Sequence, residues 1–256
     1  MCFVLLAIHQ HPDYPLVLAA NRDEFFHRAA LPLQAWQDLP EIVGGRDVES
    51  TGSWLAVNRV TRRLALVTNY RAGIPQPAAR SRGVLVRDVL TTTATTSVCL
   101  QQLAAEQQLY GGFNLLMGEL PDQLWFFSNR NAQPAQAVTA GIHALSNASL
   151  DTPWVKVQRG KQRFHAVLAQ TGQALVDGLF DLLTDTTPAA DADLPDTGIG
   201  LEKERWLSSI FITGEQYGTR CSSVLLLDNA GQLHCYERTF APMGLAISTV
   251  LLQSGL

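Results

Sequence analysis

Apolar residues near the start of the chain fall in short, almost unbroken runs. Cys2 to Ile8 is one and Leu16 to Ala20 is another, separated by His9 to Pro15 (HQHPDYP), whose two prolines and Asp are turn chemistry. Neither run alternates with polar residues, so the pair predicts a hairpin covered on both faces. Leu31 to Glu41 carries prolines and reads as irregular connection. Gly44-Gly45-Arg46-Asp47 then leads through a Ser/Thr/Gly loop into a second hairpin, Ser53 to Asn58 and Leu64 to Asn69, joined by RVTRR. Arg71 to Arg82, with its prolines and arginines, reads as an exposed loop.

The pattern then changes period. Gly83 to Leu90 places apolar residues at helical spacing, and Ser97 can cap a helix running through Gln108, with Thr91 to Thr96 as the turn between them. Strands return at Phe113 to Met117 and Leu124 to Phe127, around a Pro-Asp turn, and at Gly141 to Ser146. Pro153 opens a helix over Trp154 to Ala169, and Gln173 to Leu183 is a further helix. Thr184 to Gly200, rich in Asp, Pro and Ala, is the segment expected to be mobile. Ser222 to Leu227 and Gln232 to Phe240 close the chain as strands that need partners elsewhere, so residues 1–256 read as a single domain. Hairpins exclude a purely parallel sheet. Strands covered on both faces, with helices in clusters, predict an α+β fold: a four-layer α-β-β-α sandwich of mainly antiparallel sheets.

Composition narrows the function. Net charge is −4, which argues against non-specific nucleic-acid binding. No apolar run reaches membrane-spanning length, and the N-terminus lacks the basic region of a signal peptide. Cys2, Cys99, Cys221 and Cys235 are scattered with no C-x-x-C, as expected for free thiols in a reducing cytoplasm. The histidines show no metal-ligand spacing, and Gly44-Gly45 and Gly111-Gly112 match no nucleotide loop, so neither a metal nor a cofactor is expected. Trp54, Trp125 and Trp206 read as core residues.

The candidate chemistry lies where strands end. AANRDEFF (Ala19 to Phe26) sets Asn21, Arg22, Asp23 and Glu24 at the end of the second strand, and the hairpin brings them to Cys2. Removal of Met1 would make Cys2 the N-terminal residue, with an α-amine, ordinary pKa about 7.7–8.0, as base to its own thiol. Arg22 beside it favours the thiolate; the plainer alternative is a small buried hydrophobe. Cys221, in a strongly alternating strand, reads as core. Asn69, Asn147 and Arg220 each end a strand, and Asn amides suit an oxyanion hole; each alone also suits a turn or cap.

Met-Cys-Phe at the start, AANRDEFF, VGGRD, SWLAVNR, LALVTNYR, HALSNASLDTPWVKV and YGTRCSSVLLL together resemble the NRDE family, that of the transport and Golgi organisation protein 2. The resemblance runs from Cys2 to the final hairpin. It implies an N-terminal-nucleophile hydrolase-like fold, similar to the cysteine acylases that cleave non-peptide amides. By that likeness Cys2 is the nucleophile, Arg22 and Asp23 position and activate it, Asn69 and Asn147 stabilise the oxyanion, and Arg220 braces the thiolate. The acylases space their Arg and Asp apart, whereas here the two are adjacent and Glu24 follows, so Asp23 and Glu24 both stand as partner to the amine. The expected partner is a small-molecule amide or acyl substrate. The alternative is a non-catalytic carrier of haem or an acyl lipid in the same cleft, with haem as cargo and Cys2 or His27 as its axial ligand.

Overall fold

The computed structural model describes residues 2–73, 78–131 and 133–256. Its described strands form two sheets in which every named strand pair is antiparallel. In the first, β1 (Cys2–Ile8), β2 (Leu16–Phe25), β10 (Gly141–Leu145), β11 (Tyr217–Leu227), β12 (Gln232–Phe240) and β13 (Ala246–Gly255) lie in the order β10-β1-β2-β11-β12-β13. The second runs in sequence order: β3 (Ala30–Ala35), β4 (Ile42–Asp47), β5 (Leu55–Asn58), β6 (Arg63–Asn69), β7 (Phe113–Glu119), β8 (Gln123–Ser128) and β9 (Gln136–Ala137).

The apolar runs fill three separate cores, and these set the layering. Val4, Leu6, Leu16 and Leu18 of the first sheet meet Val43, Val57, Leu64 and Leu116 of the second. The alternate residues Phe3, Leu5, Val17 and Ala19 pack outward on Val157 and Phe164 of α3 (Val155–Val167) and Leu175 and Leu179 of α4 (Gly172–Leu183). Ala65, Val67, Leu115 and Met117 pack outward on Leu85 and Val89 of α1 (Arg82–Thr91) and Leu100 and Leu103 of α2 (Thr96–Glu106). Continuous apolar strands are thus what a sheet between a helix layer and another sheet requires. Gly160 lets α3 approach this closely: a Cβ there would lie 2.6 Å from the Phe3 ring.

Several expectations need correction. Leu31 to Glu41 is not all irregular, because Ala30–Ala35 is a strand; it sits at a sheet edge, where Pro32 removes no needed ladder bond. Gly44 and Gly45 belong to β4, where a Cβ would lie 2.6 Å from the Ala56 Cβ and 2.2 Å from the Trp54 ring. β13, β9 and α5 (Leu201–Trp206) add to the elements read from the sequence. Thr184 to Gly200 is fastened at several points: Phe211 N donates to Asp185 O, Ala189 N to Ser208 Oγ, and Thr197 N to Glu204 Oε1. The stretch read as an exposed loop holds a buried Arg71 at one end and begins α1 at the other, and residues 74–77 lie outside the described set. Met1 also lies outside it. No helix among the described residues is long and apolar enough to cross a membrane.

Candidate active site

β2 extends past Ala20 through Phe25, which carries its polar residues into the sheet. Their burial is compensated locally. Asn21 donates to Leu183 O at 2.8 Å and Ile210 O at 3.0 Å, and accepts from Ser222 Oγ at 2.6 Å. The β1–β2 register sets Cys2 directly opposite Arg22. Alternation sends Cys2 and Arg22 to the face shared with Val4 and Ala20, between the sheets, and turns Asp23 toward the helix side with Ala19. Adjacent Arg and Asp therefore project from opposite faces of one strand, and Glu24 returns to the Arg22 face.

A cavity of about 80 Å³ opens there, bordered by Cys2, Arg22, Asp23, Glu24, Arg28, Asp47, Trp54, Asn69 and Arg82, among others. Asp47 fixes the guanidinium side of it. Its carboxylate accepts Arg22 Nη2 at 3.2 Å, Arg28 Nε at 2.6 Å and Nη2 at 3.1 Å, and Ser50 N at 2.9 Å. Burial acts to raise the Asp47 pKa, but the Arg28 and Ser50 hydrogen bonds outweigh it and the group sits below its ordinary range. The Arg22 guanidinium also lies over the Trp54 ring, 4.3 Å from its centre, so Trp54 is a site residue as well as a packing one.

The Cys2 thiol is buried, 3.9 Å from Val67 O. Burial pushes its pKa up, and Asp23 adds to that, while Arg22 opposes it. Desolvation of the thiol outweighs the pull of Arg22, whose guanidinium is also paired with Asp47 and stacked on Trp54. Cys221 is buried, as read from its strand, and it also borders the neighbouring cavity that shares Arg22 and Trp54.

Behind Asp23 lies a second polar cluster. Asp23 Oδ1 accepts Thr219 Oγ1 at 2.8 Å, and its main-chain O accepts the Tyr217 hydroxyl at 3.1 Å. Burial raises the Asp23 pKa, countered in part by Lys156. Lys156, in the first turn of α3, is itself buried and donates to Leu207 O at 2.9 Å. Burial, reinforced by Arg71, brings its pKa down to about 7. Arg71 and Glu204 form a buried ion pair at 2.7 Å, with the Arg71 guanidinium 5.0 Å from the Trp154 ring centre.

The asparagines and Arg220 occupy distinct places. Asn69 borders the Cys2 cavity. Asn147 is fully buried; its Nδ2 donates to Asn69 O at 2.9 Å and its main-chain O accepts Arg71 N at 2.7 Å. With Thr68 Oγ1 donating to Ser146 O at 2.9 Å, these bonds pin β6 to the end of β10 across the two sheets. Asn147 thus holds Asn69 and is not on the cavity wall. Arg220 is the extra residue of a bulge: β2 pairs Thr219 with Asp23 and Cys221 with Arg22. Its Nη1 donates to Phe25 O at 2.8 Å and Arg28 O at 2.9 Å, and it borders a neighbouring cavity that shares Arg22 and Trp54 with the first. His27 is exposed, its ring 5.3 Å from that of Phe25. Sequence reading left Asp47, Arg28, Arg82, Lys156 and Arg71 unassigned, although Asp47, Arg71 and Lys156 stand inside VGGRD, LALVTNYR and the PWVKV end of the long motif. Among the described residues, no group of three or more His, Cys, Asp and Glu side chains is placed to hold a metal ion.

Comparison with known proteins agrees with the motif reading. The family model described as Transport and Golgi organisation 2 matches residues 1–242. The chain is similar to the Transport and Golgi organization 2 homolog of Mus musculus, with 33% identity across 93% of each chain. It is equally similar to the Homo sapiens homolog, at 33% identity and the same coverage. The Drosophila melanogaster Transport and Golgi organization protein 2 is 29% identical, over 93% of this chain and 92% of its own. On these matches the chain belongs to the Transport and Golgi organisation 2 family.

Proposed function

We propose that this protein is an N-terminal-cysteine amidohydrolase or acyltransferase, with an N-terminal-nucleophile hydrolase-like fold, acting on a non-peptide amide through an acyl-Cys2 intermediate. The observation that carries this reading is Cys2 at the head of β1, directly opposite Arg22 and on the wall of a polar cavity. After loss of Met1 the freed α-amine takes the thiol proton, and the sulfur attacks the amide carbonyl. The C–N bond breaks, the leaving amine departs with that proton, and a thioester remains on Cys2. Water, or an acceptor amine, then displaces Cys2 and restores its thiol. A buried, high-pKa thiol is compatible with this cycle because the base is supplied by the same residue.

The remaining roles follow from position. Asp23 orients the amine, with Lys156 behind it. The Asn69 amide faces the developing oxyanion, while Asn147 positions it. Arg22, held by Asp47, lines the attack face. Arg220 braces the end of β2 through two carbonyls, at one remove from the sulfur. The four free, buried cysteines suit a cytoplasmic location. For haem the carrier reading has less behind it, since His27, one of its candidate axial ligands, is exposed and does not border the Cys2 cavity.

The test is amine release from a panel of N-acyl amides by protein whose intact mass shows Met1 removed. Turnover lost in Cys2→Ala supports the proposal. Equal rates in the two proteins, or none across the panel while a Soret shift reports haem binding, would replace it with the carrier.

A further inference from the structure

The Cys2 cavity has room for a reacting carbonyl and the atoms next to it, not for a whole substrate. A second cavity, of about 190 Å³, shares Arg22 and Trp54 with the first. Its lining differs in kind: Ala30, Leu31, Pro32, Phe240 and Ile247 are apolar. The polar groups that border it are largely engaged elsewhere. Glu237 accepts Leu33 N at 2.8 Å and Ser223 Oγ at 3.3 Å, Arg22 is paired with Asp47, and Arg220 donates to two carbonyls. Leu31 and Ile247, 45% and 66% exposed, are among its apolar lining.

We propose that this cavity is a binding subsite for an unbranched apolar chain of the substrate whose carbonyl reacts at Cys2. The stacked Arg22–Trp54 pair is the wall common to both chambers. Medium-length aliphatic amides are therefore the favoured class, and short polar amides fill only the first chamber. The inference rests on the acyl-Cys2 reading for its chemistry, but the subsite can be measured without it.

The experiment is calorimetric binding of acetamide, butanamide, hexanamide and octanamide to the Cys2→Ser protein, repeated in Leu31→Glu and Ile247→Glu backgrounds. Both substituted positions are exposed, so the fold is undisturbed. Affinity should rise two- to four-fold or so per added methylene, the upper figure being about 0.8 kcal/mol of transfer free energy. Each Glu variant should weaken octanamide at least several-fold and leave butanamide unchanged. A flat series, or octanamide affinity indifferent to both Glu variants, overturns the subsite. Acylation of Cys2 in the wild-type protein is scored separately. A graded series with no acylation keeps the subsite and removes the chemistry; acylation with a flat series does the reverse.

Discussion

Asp47 holds Arg22 against Cys2, and its removal gives a quantitative test of how the site is built. Arg22 and Asp47 side chains are only 5% and 8% exposed, so Asp47→Asn keeps the shape and leaves a buried guanidinium without its carboxylate. Breaking such a pair costs about 3–5 kcal/mol. At roughly 2–4 °C per kcal/mol for a domain of this size, the melting temperature should fall by about 6–20 °C. Arg22→Met should cost less, because Asp47 keeps Arg28 and Ser50 while only the Trp54 stacking and one ion pair are lost. The double variant should then be more stable than additivity allows, with a coupling of about 2 kcal/mol. The pH dependence has a definite sign. The folded pKa of Asp47 is depressed, so its contribution is complete above the unfolded value of about 3.9 and disappears as pH falls through the folded one. Acid unfolding should therefore be shallower in Asp47→Asn. Chemical denaturation of the four proteins, at neutral and acidic pH, supplies all the numbers. A cycle coupling below about 0.5 kcal/mol would refute the idea that Asp47 anchors Arg22.

Other predictions follow from the same geometry. Alkylation of Cys2 by iodoacetamide should keep accelerating past pH 9.0, the ordinary thiol value, and Arg22→Met should slow it at any fixed pH below 9.0; a midpoint below 9.0 would contradict the burial argument. Lys156 has a folded pKa of about 7 against an ordinary 10.5, so the unfolded chain binds the extra proton between those values and stability should rise with pH across that window. In Lys156→Met that component is lost, as urea titrations from pH 6.5 to 10.5 will register, and identical slopes would exclude it. Gly45→Ala should displace Trp54 from Arg22, since the new Cβ would lie 2.2 Å from the ring. The expected cost is about 1–3 kcal/mol with a changed Trp fluorescence, and an unaltered spectrum would argue that the stack is loose.

Much of this architecture is legible in the chain. Cys2 to Ile8 and the start of β2 are apolar on both faces, and the short HQHPDYP turn leaves one register in which Cys2 meets Arg22. The helices that flank the sheets are marked by their spacing. What the chain hides is set by tertiary context. Pro32 and the Gly44-Gly45 pair break local strand propensity, and only the sheet edge and the Trp54 and Ala56 side chains make strands of them. Residue Arg220 looks equivalent to its neighbours, yet one bulge turns it to the far side of Arg22. Asp47 and Lys156 are far in sequence from Cys2, and although each stands inside a family motif, nothing local to VGGRD or PWVKV ties it to the Cys2 end of the sheet. Their importance appears only when burial and pairing are known.

The claim at the centre is that Cys2 becomes acylated. Protein of verified mass without Met1 is incubated with p-nitrophenyl octanoate at pH 7.5, quenched in acid and mapped by mass spectrometry. The expected result is one octanoyl group on the Cys2 peptide, removable by hydroxylamine, formed ahead of any on Cys99, Cys221 or Cys235 and much more slowly in Arg22→Met. An octanoyl group absent from Cys2, or spread evenly over the four cysteines, would contradict the account.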